Sequence, residues 1–329
     1  MVYKIIFLVI FQCLTFNNFA QWIKANGPAG GDVFAFAVSG SNIYAGTYTG
    51  IYMSTNDGIN WTETSLINQY VLALSANGSN LYAGTNNGVF HSSDNGMSWT
   101  LTSLNNREIF SLAQNGTRIF AGSSYYGLYM STNSGQTWSQ TSLNNQSVNS
   151  LIVNGGNIFA GCENGILLSS DNGLTWIQTA FYNYVFAMTV RGSNVFAGTN
   201  SGIYISSNNG SSWVQTDLNN QTVLSLAAST QYIFAGTDAY GVYISSNNGI
   251  NWVQTNLNNR IVNCIGVLGQ NTFAGTYYQG VYSSSSNGFT WTHNSLNNES
   301  VNAFSINGSN IFAGTKFQGV FLTTNEGIS

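Results

Sequence analysis

Side chains able to do chemistry are sparse in this sequence. Eleven acidic residues, seven basic residues and two histidines are spread over 329 positions. Six of the acids, Asp32, Glu108, Glu163, Asp217, Asp238 and Glu299, fall in polar connections between apolar segments. Two carboxyls flanking a glycosidic bond could hydrolyse it, with retention at about 5 to 5.5 Å separation or inversion at about 6.5 to 9.5 Å. No two of the six are close in sequence, so such a pair would have to form across the fold. His91 and His293 stand far apart with no Cys or acidic ligand at metal spacing. No phosphate-binding loop with its lysine is present, so no metal or other cofactor is expected. Cys162 and Cys264 occupy different positions of a repeated unit and are expected to be unpaired, with Cys162 standing where sister units have Thr or Ser.

The elements that would have to position these groups are set by a short period. The segment Ser92-Ser93-Asp94-Asn95-Gly96-Met97-Ser98-Trp99 recurs with starts at Ser54, Ser131, Ser169, Ser206, Ser245, Ser284 and Thr323. It closes on Trp61, Trp99, Trp138, Trp176, Trp213, Trp252 and Trp291, and the eighth copy reaches Ser329 without its Trp. Units counted from Trp22 onwards tile the chain with none left for a second domain. Within each unit four short apolar segments alternate with polar turns, as in residues 213–251. A unit of this size with four strands is one propeller blade. The fold class expected is therefore all-β, one eight-bladed β-propeller of four-stranded blades. Trp22-Ile23-Lys24 would complete the last blade; a truncated chain is the competing explanation of the missing Trp.

Two glycine positions carry this expectation. Gly in the Phe/Tyr-Ala-Gly-Thr segments that begin at Tyr44, Tyr82, Phe120, Phe159, Phe196, Phe234, Phe273 and Phe312 would admit a close neighbour. Gly in the turn segment would supply a positive φ, and the Asp, Asn or Ser two residues before it would accept turn amides. At Asp94, Gly96 and Trp99, and at Asp171, Gly173 and Trp176, the chain resembles the Asp-box (BNR) repeat, Ser-x-Asp-x-Gly-x-Thr-Trp, of sialidase-like and many secreted bacterial propellers. The resemblance covers residues 21–329 and implies that each box is the hairpin between a blade's third and outermost strands. It implies a fold device and no catalysis by the box itself. Sialidase chemistry would require three converging arginines, and of the four present, Arg118 and Arg191 fall in turns on the box side.

Propeller geometry puts the boxes and the first-to-second-strand turns on one face. The connections that differ between repeats lie on the other. That variable face is expected to carry Tyr48, Tyr125, Tyr126, Tyr240, Tyr277, Tyr278 and Phe317, with Arg107, Arg260, Asp238 and Glu163, as a candidate ligand-binding surface. Rings interleaved with Asn and Gln suit a glycan or an extracellular protein. A binding or scaffold module is expected, with a glycoside hydrolase of the Asp-box propeller type as the alternative. Charged residues are 5 % of the chain and the net charge is −4. The basic residues occur singly, which argues against nucleic acid. Residues 1–20, with Lys4 and the apolar run Ile5 to Phe11, resemble a secretory signal peptide, so a secreted or cell-surface protein with no membrane span after cleavage is expected.

Overall fold

A computed structural model describes residues 22–28, 31–294 and 296–324, so the expected signal peptide and the last turn segment with Gly327 lie outside the described residues. Eight antiparallel four-stranded sheets follow one another along the chain. The sheet of Val185–Arg191, Asn194–Thr199, Gly202–Ser206 and Val214–Gln215 is typical, its strands ordered from the ring's inside to its outside. First strands of neighbouring sheets touch all the way round, including the first sheet against the eighth. The chain is thus an all-β, eight-bladed propeller. We number the blades 1 to 8 from Val33–Ser39 to Val301–Asn307. Blade 8 is completed by Ile23–Lys24, with Ile23 opposite Leu322 and Lys24 opposite Phe321. Trp22, 5 % exposed, stands edge-on to Phe273 with ring centroids 6.4 Å apart.

Two repeated contacts hold blade to blade. In the first, a second-strand glycine lies under the branched first-strand residue of the next blade. A Cβ on Gly198 would come within 2.7 Å of Val223 Cγ1, and one on Gly314 within 2.6 Å of Val33 Cγ1, which is the same contact across the closure. In the second, each turn glycine among the described residues sits on the second-strand ring of the blade before it. Gly96 lies on Tyr44, whose hydroxyl also donates to the Asn95 carbonyl at 2.9 Å. The second-strand rings of all eight blades, Tyr44, Tyr82, Phe120, Phe159, Phe196, Phe234, Phe273 and Phe312, are among the largest fully buried side chains.

Each first strand carries a bulge after its first residue, as between Val185 and Ala187. The freed residue of blades 4, 7 and 8 is an asparagine whose amide donates to the next blade. Asn149 reaches the Val185 carbonyl at 3.1 Å, Asn263 that of Val301 at 3.1 Å, and Asn302 that of Val33 at 3.2 Å. The last of these also crosses the closure.

The turn segments satisfy most of their own polar groups, the buried indole N–H groups of Trp213 and Trp291 being without a partner among the described residues. Ser92 Oγ donates to Asp94 Oδ1 at 2.7 Å and accepts the Gly96 amide at 2.9 Å. Asp94 in turn accepts the Ser98 amide at 2.9 Å and the Ser98 hydroxyl at 2.6 Å. Gly96 has φ +80°, and its carbonyl accepts the Trp99 indole N–H at 3.1 Å. Asp171, Gly173 and Trp176 repeat this scheme. Asn133, Asn208, Asn247 and Ser286 accept the same amide without a charge. The Ser98 hydroxyl and amide, then the Ser92 hydroxyl, hold the half-buried Asp94 carboxyl down at about 2, and Thr175 and Ser169 do the same for Asp171.

Three outcomes follow from these contacts. Gly198→Ala should cost about 1–3 kcal/mol by overpacking, whereas Gly156→Ala, with open space around it, should stay within about 0.5 kcal/mol of the parent in denaturant melts. Deleting residues 22–27 should lower the melting temperature, and an unchanged value would contradict closure by that strand. Asp94 and Asp171 have folded pKa values below the ordinary carboxylate value near about 4, so their contribution is present above that value and is lost as pH falls towards about 2. The double variant Asp94→Asn/Asp171→Asn should therefore lose less stability than the parent between about pH 4 and 2; parallel melting profiles would refute this.

Candidate functional site

The two sets of variable connections share one face because backbone bonds tie them together. Tyr48 N–H donates to the Asp32 carbonyl at 3.1 Å, Ser124 N–H to Glu108 at 2.9 Å, Tyr277 N–H to Ile261 at 3.1 Å, and Lys316 N–H to Ser300 at 2.8 Å. Each bond joins a second-to-third-strand connection to the residue just before the first strand of the same blade. The second-to-third-strand connections also differ in length. Two residues separate Thr199 from Gly202, whereas three separate Thr237 from Gly241 and Thr276 from Gly280.

The predicted rings are on this surface and accessible. Tyr48, Tyr125, Tyr126, Tyr240, Tyr277, Tyr278 and Phe317 are all exposed, from 42 % for Tyr277 to 70 % for Tyr125. Tyr48 packs against Tyr70 at a tilt of 35° with centroids 3.8 Å apart, and Tyr277 meets Tyr278 edge-on at 4.3 Å. The Arg107 guanidinium lies 4.0 Å above the Tyr126 ring, donates from Nε to Tyr129 Oη at 3.3 Å, and donates from Nη1 to the Asn106 carbonyl at 2.8 Å. Arg260 makes the corresponding bonds to Tyr282 Oη at 3.4 Å and the Asn259 carbonyl at 2.9 Å. Lys316 Nζ is 5.2 Å from the Phe317 ring centre and 5.9 Å from that of Tyr277. Asp238 is exposed and Glu163 half-buried.

The carboxylates considered for catalysis are not brought together by any hydrogen bond among the described residues. Asp217 accepts the Trp252 amide of the next blade's outer strand at 3.0 Å and is a strap between blades. Glu299 is 8 % exposed and accepts from Gln318 Nε2 at 2.6 Å; burial raises its pKa against the pull of Gln318 and Lys24. Desolvation also raises Asp32. The histidines have structural partners. His91 bonds Asn80 and stacks on Tyr82, and His293 bonds the Gln279 carbonyl. Cys162 and Cys264 are free thiols, and burial pushes Cys162 up to about 12.

The opposite face has features that reading the boxes as turns alone passed over. Ile59, Met97, Leu174, Ile250 and Phe289, one per box, are 48–72 % exposed. A recess of about 600 Å³ is lined there by Val190, Arg191, Ala228, Thr230 and Val267. Its arginine is committed, with Nη2 on the Thr230 carbonyl at 2.7 Å and Nη1 on Asn248. Arg118 is bound to the Asn172 carbonyl at 3.0 Å. Neither arginine turns towards the variable face.

A second period emerges once blades are compared across the ring. Val33-Phe34-Ala35-Phe36-Ala37-Val38 of blade 1 matches Val185-Phe186-Ala187-Met188-Thr189-Val190 of blade 5. Asn144-Asn145-Gln146-Ser147-Val148-Asn149, entering blade 4, matches Asn297-Asn298-Glu299-Ser300-Val301-Asn302, entering blade 8. Arg107 and Arg260 likewise correspond. Four blades make half a turn of eight, so equivalent residues face each other across the ring. Comparing every fourth unit, in place of adjacent ones, would have found this signal in the sequence.

Residues 102–222 match a family model described as the DUF6242 beta propeller domain. No curated protein matches the chain. Among solved structures, a computationally designed protein superposes with TM-score 0.77 at 12 % identity, covering 91 % of this chain and 98 % of its own. YCF48 bound to D1 peptide gives 0.59 at 13 %, covering 78 % and 91 %. The GH74 xyloglucanase from Xanthomonas campestris gives 0.60 at 14 %, covering 93 % of this chain and 53 % of the enzyme. At these identities the likeness is one of fold: the chain is a β-propeller similar in architecture to both a peptide-bound protein and a glycosidase.

Proposed function

We propose that this is an exported, non-enzymatic propeller of the Asp-box type that holds a glycan or an extracellular protein on its variable face. The observation that carries the reading is the concentration there of seven exposed rings, Tyr48, Tyr125, Tyr126, Tyr240, Tyr277, Tyr278 and Phe317, with Arg107, Arg260 and Lys316 among them. Exposed rings beside cations and amides are typical of surfaces that grip a partner. The serine and Asp or Asn side chains of the boxes, by contrast, are engaged in their own turns. YCF48, similar in fold, is a propeller seen with a peptide. The segment resembling a signal peptide supports a secreted or cell-surface location. A hydrolase of the same fold is the weaker reading, since Asp217 and Glu299 already have structural partners.

Screening the purified chain against a glycan array and a set of secreted proteins should return a binder. The triple variant Tyr126→Ala/Tyr240→Ala/Tyr278→Ala should weaken that binding at least about tenfold, the loss of roughly 1.4 kcal/mol, without lowering the melting temperature. Release of reducing sugar that disappears in Asp238→Asn or Glu163→Gln would move the assignment to a hydrolase.

A further inference from the structure

Blades 3 and 7, half a ring apart, share an arrangement absent from the other blades. Tyr125 and Tyr278 are non-glycine residues in the left-handed region, with φ +62° and +58°. That backbone costs a bulky residue free energy and persists only where its surroundings enforce it. Here a serine of the next connection enforces it. Tyr125 N–H donates to Ser147 Oγ at 3.1 Å and Tyr278 N–H to Ser300 Oγ at 2.9 Å, and both serines are buried. Blades 6 and 8 have equally long connections but Ile261 and Asp32 at the serine position, and Ala239 and Phe317 are not left-handed there. In those blades the connection amide turns to the threonine of its own strand, Tyr240 to Thr237 and Gln318 to Thr315.

The same two blades carry the two arginines of the face. Each guanidinium is anchored twice, through Nε to a third-strand tyrosine and through Nη1 to an asparagine carbonyl. That leaves Nη2 of both without a hydrogen-bond partner among the described residues. Paired asparagine side chains flank each arginine, Asn106 bonded to Asn105 and Asn259 to Asn258. A fixed guanidinium with free donors recognises a carboxylate, an outstanding tyrosine ring takes the C–H face of a sugar, and the amides suit hydroxyls. An acidic peptide would supply the carboxylate without the flat face that Tyr125 and Tyr278 present.

We infer that the variable face holds two equivalent stations, one on Arg107 and Tyr125 and the other on Arg260 and Tyr278, each for a sugar unit bearing a carboxylate, as in a uronic acid polymer. This rests on the reading of the variable face as the binding surface and specifies its ligand class and stoichiometry. The stations differ in local charge. Glu108 follows Arg107, whereas the neutral Ile261 follows Arg260, and Lys316 stands near Tyr277. The Arg260 station is therefore the tighter one.

Calorimetric titration of the full chain with tetragalacturonate should give two sites, weakened at high salt, with neutral cellotetraose binding at least tenfold more weakly. Arg107→Gln and Arg260→Gln should each remove one site, the second removing the tighter, and the double variant should remove both while its melting temperature is kept. Tyr125→Asn, which tolerates the left-handed backbone, should weaken one site without unfolding the chain. A single site, equal binding of cellotetraose, or full binding by the double arginine variant would overturn the inference. Absence of tetragalacturonate binding alongside a tyrosine-dependent neutral glycan or protein ligand would overturn it too, yet leave the variable face as the binding surface.

Discussion

The contact on which the rest of the molecule depends is the seat of a branched first-strand residue on a glycine of the preceding blade. Val71 over Gly46, Ile109 over Gly84 and their counterparts run round the ring to Val33 over Gly314. Interiors are packed closely enough that one extra methyl at such a seat must displace something. The seat therefore sets the distance between inner strands. The turn glycines lying on second-strand rings set it further out, as Gly96 does on Tyr44 and Gly58 on Phe312. With the first contact repeated at every joint, the last joint is made like the first, by Val33 and by the strand Ile23–Lys24.

A division of labour between the faces follows. Turns on the box side reach across joints and share in the seats, so their backbone has little freedom to change. Connections on the other side are tied to one another within a blade by single backbone bonds such as Tyr48 to Asp32, which any side chain can accompany. Length and composition can vary there without disturbing the ring. The exposed rings of Tyr48, Tyr125, Tyr126, Tyr240, Tyr277, Tyr278 and Phe317, with Arg107, Arg260 and Lys316 beside them, stand on that side for this reason. The apolar tips that five of the described boxes carry, Met97 and Ile250 among them, are exposed singly, and single exposed apolar residues are ordinary on protein surfaces.

The half-ring correspondence adds a second level of order. Blades 1 to 4 resemble blades 5 to 8 more closely than the common blade plan requires, down to Arg107 and Arg260, Ser147 and Ser300, and Asn149 and Asn302. In a closed ring of eight, residues four blades apart are related by a half turn. A duplication along the chain thereby becomes an approximate two-fold arrangement of the surface.

By itself the sequence determined the blade plan, the blade count and the roles of its glycines, because these rest on local rules. A turn needs a positive φ at Gly96, a capping acceptor at Asp94 and a ring at Trp99, and repetition reveals all three. It also separated the constant from the variable connections. The tertiary structure alone decided which polar groups remained available. Asp217 reads like any connection acid, but a neighbouring blade's outer strand brings the Trp252 amide to it. Glu299 reads like Gln146 in its sister blade, yet it is buried against Gln318. The left-handed Tyr125 and Tyr278 depend on serines 22 residues further along the chain, in the next connection. Partners set by contact between blades leave no periodic or local trace, and they became visible only when the ring brought those connections side by side.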